Sequence, residues 1–133
     1  MTTAAELHKT MFDAIQARDF ENLQKLFDAH SVHVSGDGVE VFGPDPVIAE
    51  VETMTSAFPD LAITVRRQHV PDHMVSVIEY SFSGTHRGTL EGIQPTGRTV
   101  SVVACSILEA EGDRIVREAD YYDTTALIAQ LEQ

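Results

Sequence analysis

From Leu61 to Tyr122 the chain reads as four successive β-strands, and the connection between the middle two is too long for a hairpin. The strands are expected at Leu61–His69, Met74–Ser83, Thr99–Leu108 and Arg114–Tyr122, with Pro71-Asp72 and Glu111-Gly112-Asp113 as turns. Between the second and third lies Gly84-Thr-His-Arg-Gly-Thr-Leu-Glu-Gly-Ile-Gln-Pro-Thr-Gly-Arg98, which holds four glycines and a proline in fifteen residues. Hairpin loops usually take about two to five residues, so an ordered excursion of this length is more often functional or family-specific than filler. Strand, excursion, strand is also how a curved sheet closes over a cavity. A small-molecule pocket is therefore expected.

The segments around this block are mostly helical. Leu7, Met11 and Ile15, with Phe12 and Ala14 beside them, have the spacing of an amphipathic helix over Thr3–Arg18. Asp19 can cap a second helix with Phe20, Leu23, Leu26 and Phe27 as its buried stripe. Ser31–Ser35 and Val39–Phe42 read as short strands around Gly36-Asp37-Gly38. A third helix follows Gly43-Pro44-Asp45-Pro46, carries Val47, Val51, Met54 and Phe58 on one face, and stops at Pro59. Thr124–Leu131 closes the chain as a helix with Leu127, Ile128 and Leu131. The order α-α-β-β-α-β-β-β-β-α implies an α+β fold, in which three helices pack on the concave face of a strongly curved antiparallel or mixed sheet. Such a cone leaves an apolar pocket between sheet and helices. One domain over 1–133 accounts for the length.

Composition narrows the partners. Nine Lys+Arg against 21 Asp+Glu give a net charge of −12, with no basic cluster, so neither nucleic acid nor an anionic membrane is an expected partner. There is no basic segment followed by an apolar run at the N-terminus and no 18-residue apolar stretch, so a soluble cytoplasmic domain is expected. Cys105 is the single cysteine, set in an apolar strand pattern where it acts as a small hydrophobe. His8, His30, His69 and His73 lack ligand spacing, and no metal or nucleotide motif occurs.

The last strand carries the polar residues best placed to enter a pocket. Alternation puts Glu118, Asp120 and Tyr122 on one face and Arg117, Ala119 and Tyr121 on the other. Burial would raise the proton affinity of Asp120 toward the range useful for a general acid or base. The alternatives are a solvent-facing residue or one paired with Arg114 or Arg117. Asp123 is most simply the cap of the last helix. His33 enters the pocket with Ser35 only if the flanking Val32 and Val34 face away from the helices; there it could shuttle a proton. Tyr80, Phe82, Met11, Val102 and Ala104 are expected pocket lining, and His86 a rim residue or a local backbone hydrogen-bonder.

Several segments together resemble the SnoaL-like polyketide cyclases of the nuclear transport factor 2-like superfamily. They are Phe42-Gly-Pro-Asp45, Ala57-Phe-Pro-Asp-Leu61, Gly84-Thr-His-Arg-Gly88, Gly92-Ile-Gln-Pro-Thr-Gly-Arg98, Gly112-Asp-Arg-Ile115, Asp120-Tyr-Tyr-Asp123 and Leu127-Ile-Ala-Gln-Leu131. The resemblance implies a cofactor-free intramolecular aldol ring closure, with a last-strand aspartate as general acid/base and a pocket holding a folded polycyclic substrate. Asp120 is the match for that aspartate. Limonene epoxide hydrolases, a related group, place an aspartate there too, but Tyr80 and Phe82 fall where their auxiliary Arg and Asp would stand, which disfavours epoxide hydrolysis. Family members often have a Trp before the aspartate, where this chain has Ala119. The expected ligand is a hydrophobic or aromatic small molecule, and the expected assembly a homodimer or higher homo-oligomer. A non-catalytic ligand-binding or accessory protein is the alternative, and a sheet-face interaction module with a filled pocket is a third possibility.

Overall fold

The computed structural model describes residues 2–132. Its elements run α1 (Ala4–Ala17), α2 (Phe20–Lys25), β1 (Phe27–Val34), β2 (Glu40–Phe42), α3 (Pro44–Ala57), β3 (Ala62–Asp72), β4 (Val75–Thr85), β5 (Thr99–Glu111), β6 (Arg114–Tyr122) and α4 (Thr124–Leu131). The element order is the expected one. Local chemistry sets the helix starts. The side chains of Thr3, Asp19 and Asp123 accept the backbone N–H of Glu6, Asn22 and Ala126, filling donors that a first turn leaves open. Pro44 begins α3, where its missing N–H costs nothing.

Three boundaries differ from expectation. The second helix ends at Lys25, and Phe27 opens β1 instead of joining the helical stripe. The strand continues through Pro71-Asp72, so the turn falls at His73-Met74; β3 is an edge strand, where a proline costs no ladder bond on its solvent side. β5 likewise extends to Glu111 before the Gly112-Asp113 turn, with Gly112 at φ 64°.

The six strands form one sheet in the order β2-β1-β6-β5-β4-β3. All neighbours are antiparallel except β1 and β6, which run parallel, so the sheet is mixed. The sheet is open, and α1, α2 and α3 cover its concave face while α4 lies along β5. Inward positions of β4 and β5, including Ile78, Tyr80, Phe82, Val100, Val102, Ala104 and Leu108, meet Leu7, Met11 and Phe12 of α1 in one core. No helix among the described residues is long and apolar enough to cross a membrane.

The glycine-rich excursion clamps the end of α3. The backbone N–H groups of Arg87 and Gly88 both donate to the Ala57 carbonyl, taking up an acceptor that the helix end leaves open. At Gly88 a Cβ would collide with the Ser56 carbonyl oxygen, so only glycine permits this approach. Of the two roles expected for His86, the local backbone hydrogen-bonder holds and the rim residue does not. His86 is fully buried beside Phe58, and its Nδ1 accepts from the N–H and hydroxyl of Thr96.

Candidate functional site

The polar end of the cavity is assembled from β1, α3, β4, β5 and β6. Alternation along β6 points Glu118, Asp120 and Tyr122 into the cone, while the outward Tyr121 is 45% exposed. The adjoining β1 supplies His33, which enters from the same side. Tyr80 donates its hydroxyl to Asp120 Oδ1 at 2.9 Å. The expected arginine partners are elsewhere: Arg114 binds Asp28 at 2.8 Å and Arg117 lies 3.8 Å from Glu40.

His33 and Glu118 are the most deeply held charged groups, at 4% and 1% exposure. His33 Nδ1 bonds Glu118 Oε1 at 2.8 Å, and Nε2 bonds Glu50 Oε2 of α3 at 2.5 Å. Burial alone would make the ring neutral, but the bonds to Glu118 and Glu50, together with their charges, push its pKa up to about 10. An imidazolium donating from both nitrogens is therefore the resting form.

The carboxyl pair divides unequally. Burial favours a proton on Glu118, but the bond and charge of His33, and then bonds from Asp120 and Ser106, outweigh burial and hold its pKa below the usual value. Asp120 goes the other way: burial first, then the Glu118 charge, raise it well above the ordinary range. Of the two neighbouring carboxyls, these directions make Asp120 the one that holds a proton more tightly. The Tyr80 hydroxyl is pushed upward by burial and the neighbouring acids, and Tyr122 to about 12 chiefly by burial, so both remain donors.

His33, Glu118 and Asp120 bring ligand atoms within 4.8 Å of one another. Those atoms are largely engaged already: both His33 nitrogens bind carboxylates, Glu118 also accepts from Ser106, and Asp120 accepts from Tyr80.

Two cavities meet at this cluster. The inner one, about 100 Å³, is walled by Met11, Phe12, Val51, Tyr80 and Phe82 and ends at the acids. The outer one, about 640 Å³, opens past Ser35, Asp37, Leu90, Glu91 and Leu127; His33, Glu50, Met54 and Tyr122 line both. Among the described residues, no lysine or arginine lines either.

Of the residues expected from sequence, Asp120, His33, Tyr80, Phe82, Tyr122 and Met11 converge on the inner cavity. Ser35 does not: it lies in the outer cleft and donates to Asp37 at 3.1 Å. Val102 and Ala104 face inward but are sealed in the core behind the cavity wall. Sequence reasoning passed over Glu118 and Glu50. Glu118 shares the inward face with Asp120, which was the available signal, whereas Glu50 is brought in only by the tertiary placement of α3.

The family model for SnoaL-like polyketide cyclases matches residues 5–131. The chain belongs to this family. Several SnoaL-like and related structures share its fold. AclR of Streptomyces galilaeus, a proposed hydroxylase, is 26% identical over 97% of this chain and 80% of its own, with a TM-score of 0.85. A proposed SnoaL-like polyketide cyclase from Jannaschia sp. CCS1 is 18% identical over 96% and 90%, with a TM-score of 0.87. IdmH, a proposed polyketide cyclase from Streptomyces antibioticus, is 20% identical over 98% and 99%, with a TM-score of 0.84. Among curated proteins, none matches the sequence.

Proposed function

We propose that this SnoaL-like protein is a cofactor-independent cyclase that closes a ring by intramolecular aldol addition, with Asp120 as general acid/base. One observation carries the reading: the only carboxyl with strongly raised proton affinity in the described acid cluster faces an apolar cavity. In its ionised form Asp120 removes a proton from a carbon between two carbonyls. The resulting enolate carbon attacks a second carbonyl, a C–C bond forms, and the new alkoxide takes the proton back from Asp120. The proton balance closes with no cofactor. A base whose affinity has been raised suits this task, because a stronger base removes a weakly acidic C–H more readily. The Tyr122 hydroxyl is placed to donate to substrate oxygen.

Cavity sizes bear on the substrate. The inner cavity suits a carbonyl-bearing end but is too small for a folded polycyclic body, while the outer cleft has the ~300–1,000 Å³ of ordinary small-molecule sites. The ring system would occupy the outer cleft and insert its reacting end. Walls that carry carboxyls and no lysine or arginine favour an uncharged ester or ketone over a free acid.

Turnover of uncyclised polyketide esters, followed chromatographically, tests the assignment. Asp120→Asn is expected to lose at least ~10²-fold in turnover while keeping its circular dichroism spectrum and ligand binding. Full activity in that variant rules Asp120 out. Saturable binding without turnover by the wild type would favour the ligand-binding alternative.

A further inference from the structure

Behind the acid pair a line of polar side chains crosses the core on residues the proposed reaction does not use. His8, Ser76 and Ser106 are all fully buried. Ser106 Oγ donates to Glu118 Oε2 at 2.6 Å, and His8 Nε2 lies 2.8 Å from the same Ser106 oxygen. His8 Nδ1 lies 2.8 Å from Ser76 Oγ, which also receives the Gln68 amide at 3.1 Å.

The proton positions along this line follow from elimination. A hydroxyl has one proton, and the carboxylate Glu118 can only accept, so Ser106 spends its proton on Glu118. Its oxygen must then accept from His8 Nε2–H. Burial holds the His8 pKa down to about 4, so the ring is neutral and Nδ1 accepts the Ser76 hydroxyl. Ser76 in turn accepts from Gln68. Every donor points toward Glu118, and only one tautomer of His8 satisfies all of them.

We propose that His8 is a positioning residue for the acid pair: through Ser106 it aims a hydroxyl proton at Glu118 and thereby favours ionisation of Glu118 over that of the neighbouring Asp120. Without the Nε2–H donor the Ser106 hydroxyl is free to rotate. Glu118 then loses a charge-assisted bond and competes for the proton that makes Asp120 distinct. Other titratable groups facing the pair are His33 from β1, Glu50 from α3, Tyr80 from β4 and Tyr122 from β6. None of them touches Ser106 by hydrogen bond, so the line from α1 acts on Glu118 separately from theirs. The proposal rests on reading Asp120 as the reacting group, but its test does not.

Carbon-13 NMR titration of the labelled Asp and Glu carboxyls, with Asp120→Asn and Glu118→Gln for assignment, measures the effect without substrate. In Ser106→Ala and His8→Leu the Glu118 carbon is expected to titrate about one pH unit higher, a roughly tenfold shift of the proton ratio toward Glu118. His8→Gln keeps an N–H directed at Ser106 and should titrate like the wild type. An unmoved Glu118 in Ser106→Ala or in His8→Leu overturns the proposal, as does an equal shift in His8→Leu and His8→Gln, which would mark packing alone. If His8→Leu does not fold, His8→Met, which also lacks the N–H donor, takes its place, and an unmoved Glu118 there overturns the proposal. Full activity in Asp120→Asn would rule out Asp120 as the acid/base and leave this titration standing.

Discussion

The His33–Glu118 pair makes a quantitative demand on how stability changes with pH. A ring pKa near 10 in the folded protein, against 6.5 unfolded, corresponds to roughly 5 kcal/mol of linkage. The sign follows from the direction. A group raised on folding contributes its full stability below its unfolded value, and loses it as pH rises through the folded value. The contribution is thus roughly 5 kcal/mol at pH 6 and under about 1 kcal/mol at pH 10. Asp120 is also raised, so its ionisation can only lower stability as pH rises and cannot mask this loss. The reference is the double variant His33→Asn/Glu118→Gln, in which neither position titrates and both keep hydrogen-bonding amides. Urea denaturation followed by far-ultraviolet circular dichroism suits a chain with no tryptophan. Wild type should lose several kcal/mol more than the double variant between pH 6 and 10. The single variant His33→Asn should lose about 3–5 kcal/mol at pH 7, because it strands a buried carboxylate. Parallel curves for wild type and double variant across that range refute the imidazolium.

Other expectations concern the frame of the site. Gly88→Ala forces the excursion away from the end of α3, so thermal melting should show a clear loss of stability, and an unchanged melting temperature would contradict the tight approach. Asp123→Ala removes the cap of α4 and should cost about 1 kcal/mol by denaturant titration. The convex sheet face carries Val103 at 58% exposure and Tyr121 at 45%, and we propose it as the homodimer contact; Val103→Lys should then yield monomers in sedimentation velocity, while a monomeric wild type would end the idea.

Much of this architecture was legible in the chain because its signals are local. Glycine, proline and capping aspartates mark the element ends, and period-two alternation placed Asp120, Tyr122, Tyr80 and Phe82 on inward faces. The slips came where local rules compete. Phe27 fits a helical stripe by spacing, yet it is taken by β1. Pro71 suggests a turn, but an edge strand tolerates it. Ser35 continues the alternation of His33 on paper, although β1 ends at Val34 and the chain turns toward the outer cleft. Polar residues at apolar-patterned positions were the harder case. His8 lies one helical turn before Phe12, and Ser76 and Ser106 sit among inward hydrophobics. Their roles depend on partners 68 and 98 residues apart, which no window of sequence brings together.

The parallel pairing of β1 with β6 governs when the site can exist. His33 meets Glu118 across 85 positions of chain, and the two strands cannot register until β6 is available. Closing such a distance carries its entropic cost before any contact compensates for it, so this pairing is expected among the later events of folding. The charges of His33 and Glu118 would stay in water until that closure. The acid pair itself arrives with the local β5–β6 hairpin, so what the late closure adds is the imidazole that sets the charge of Glu118.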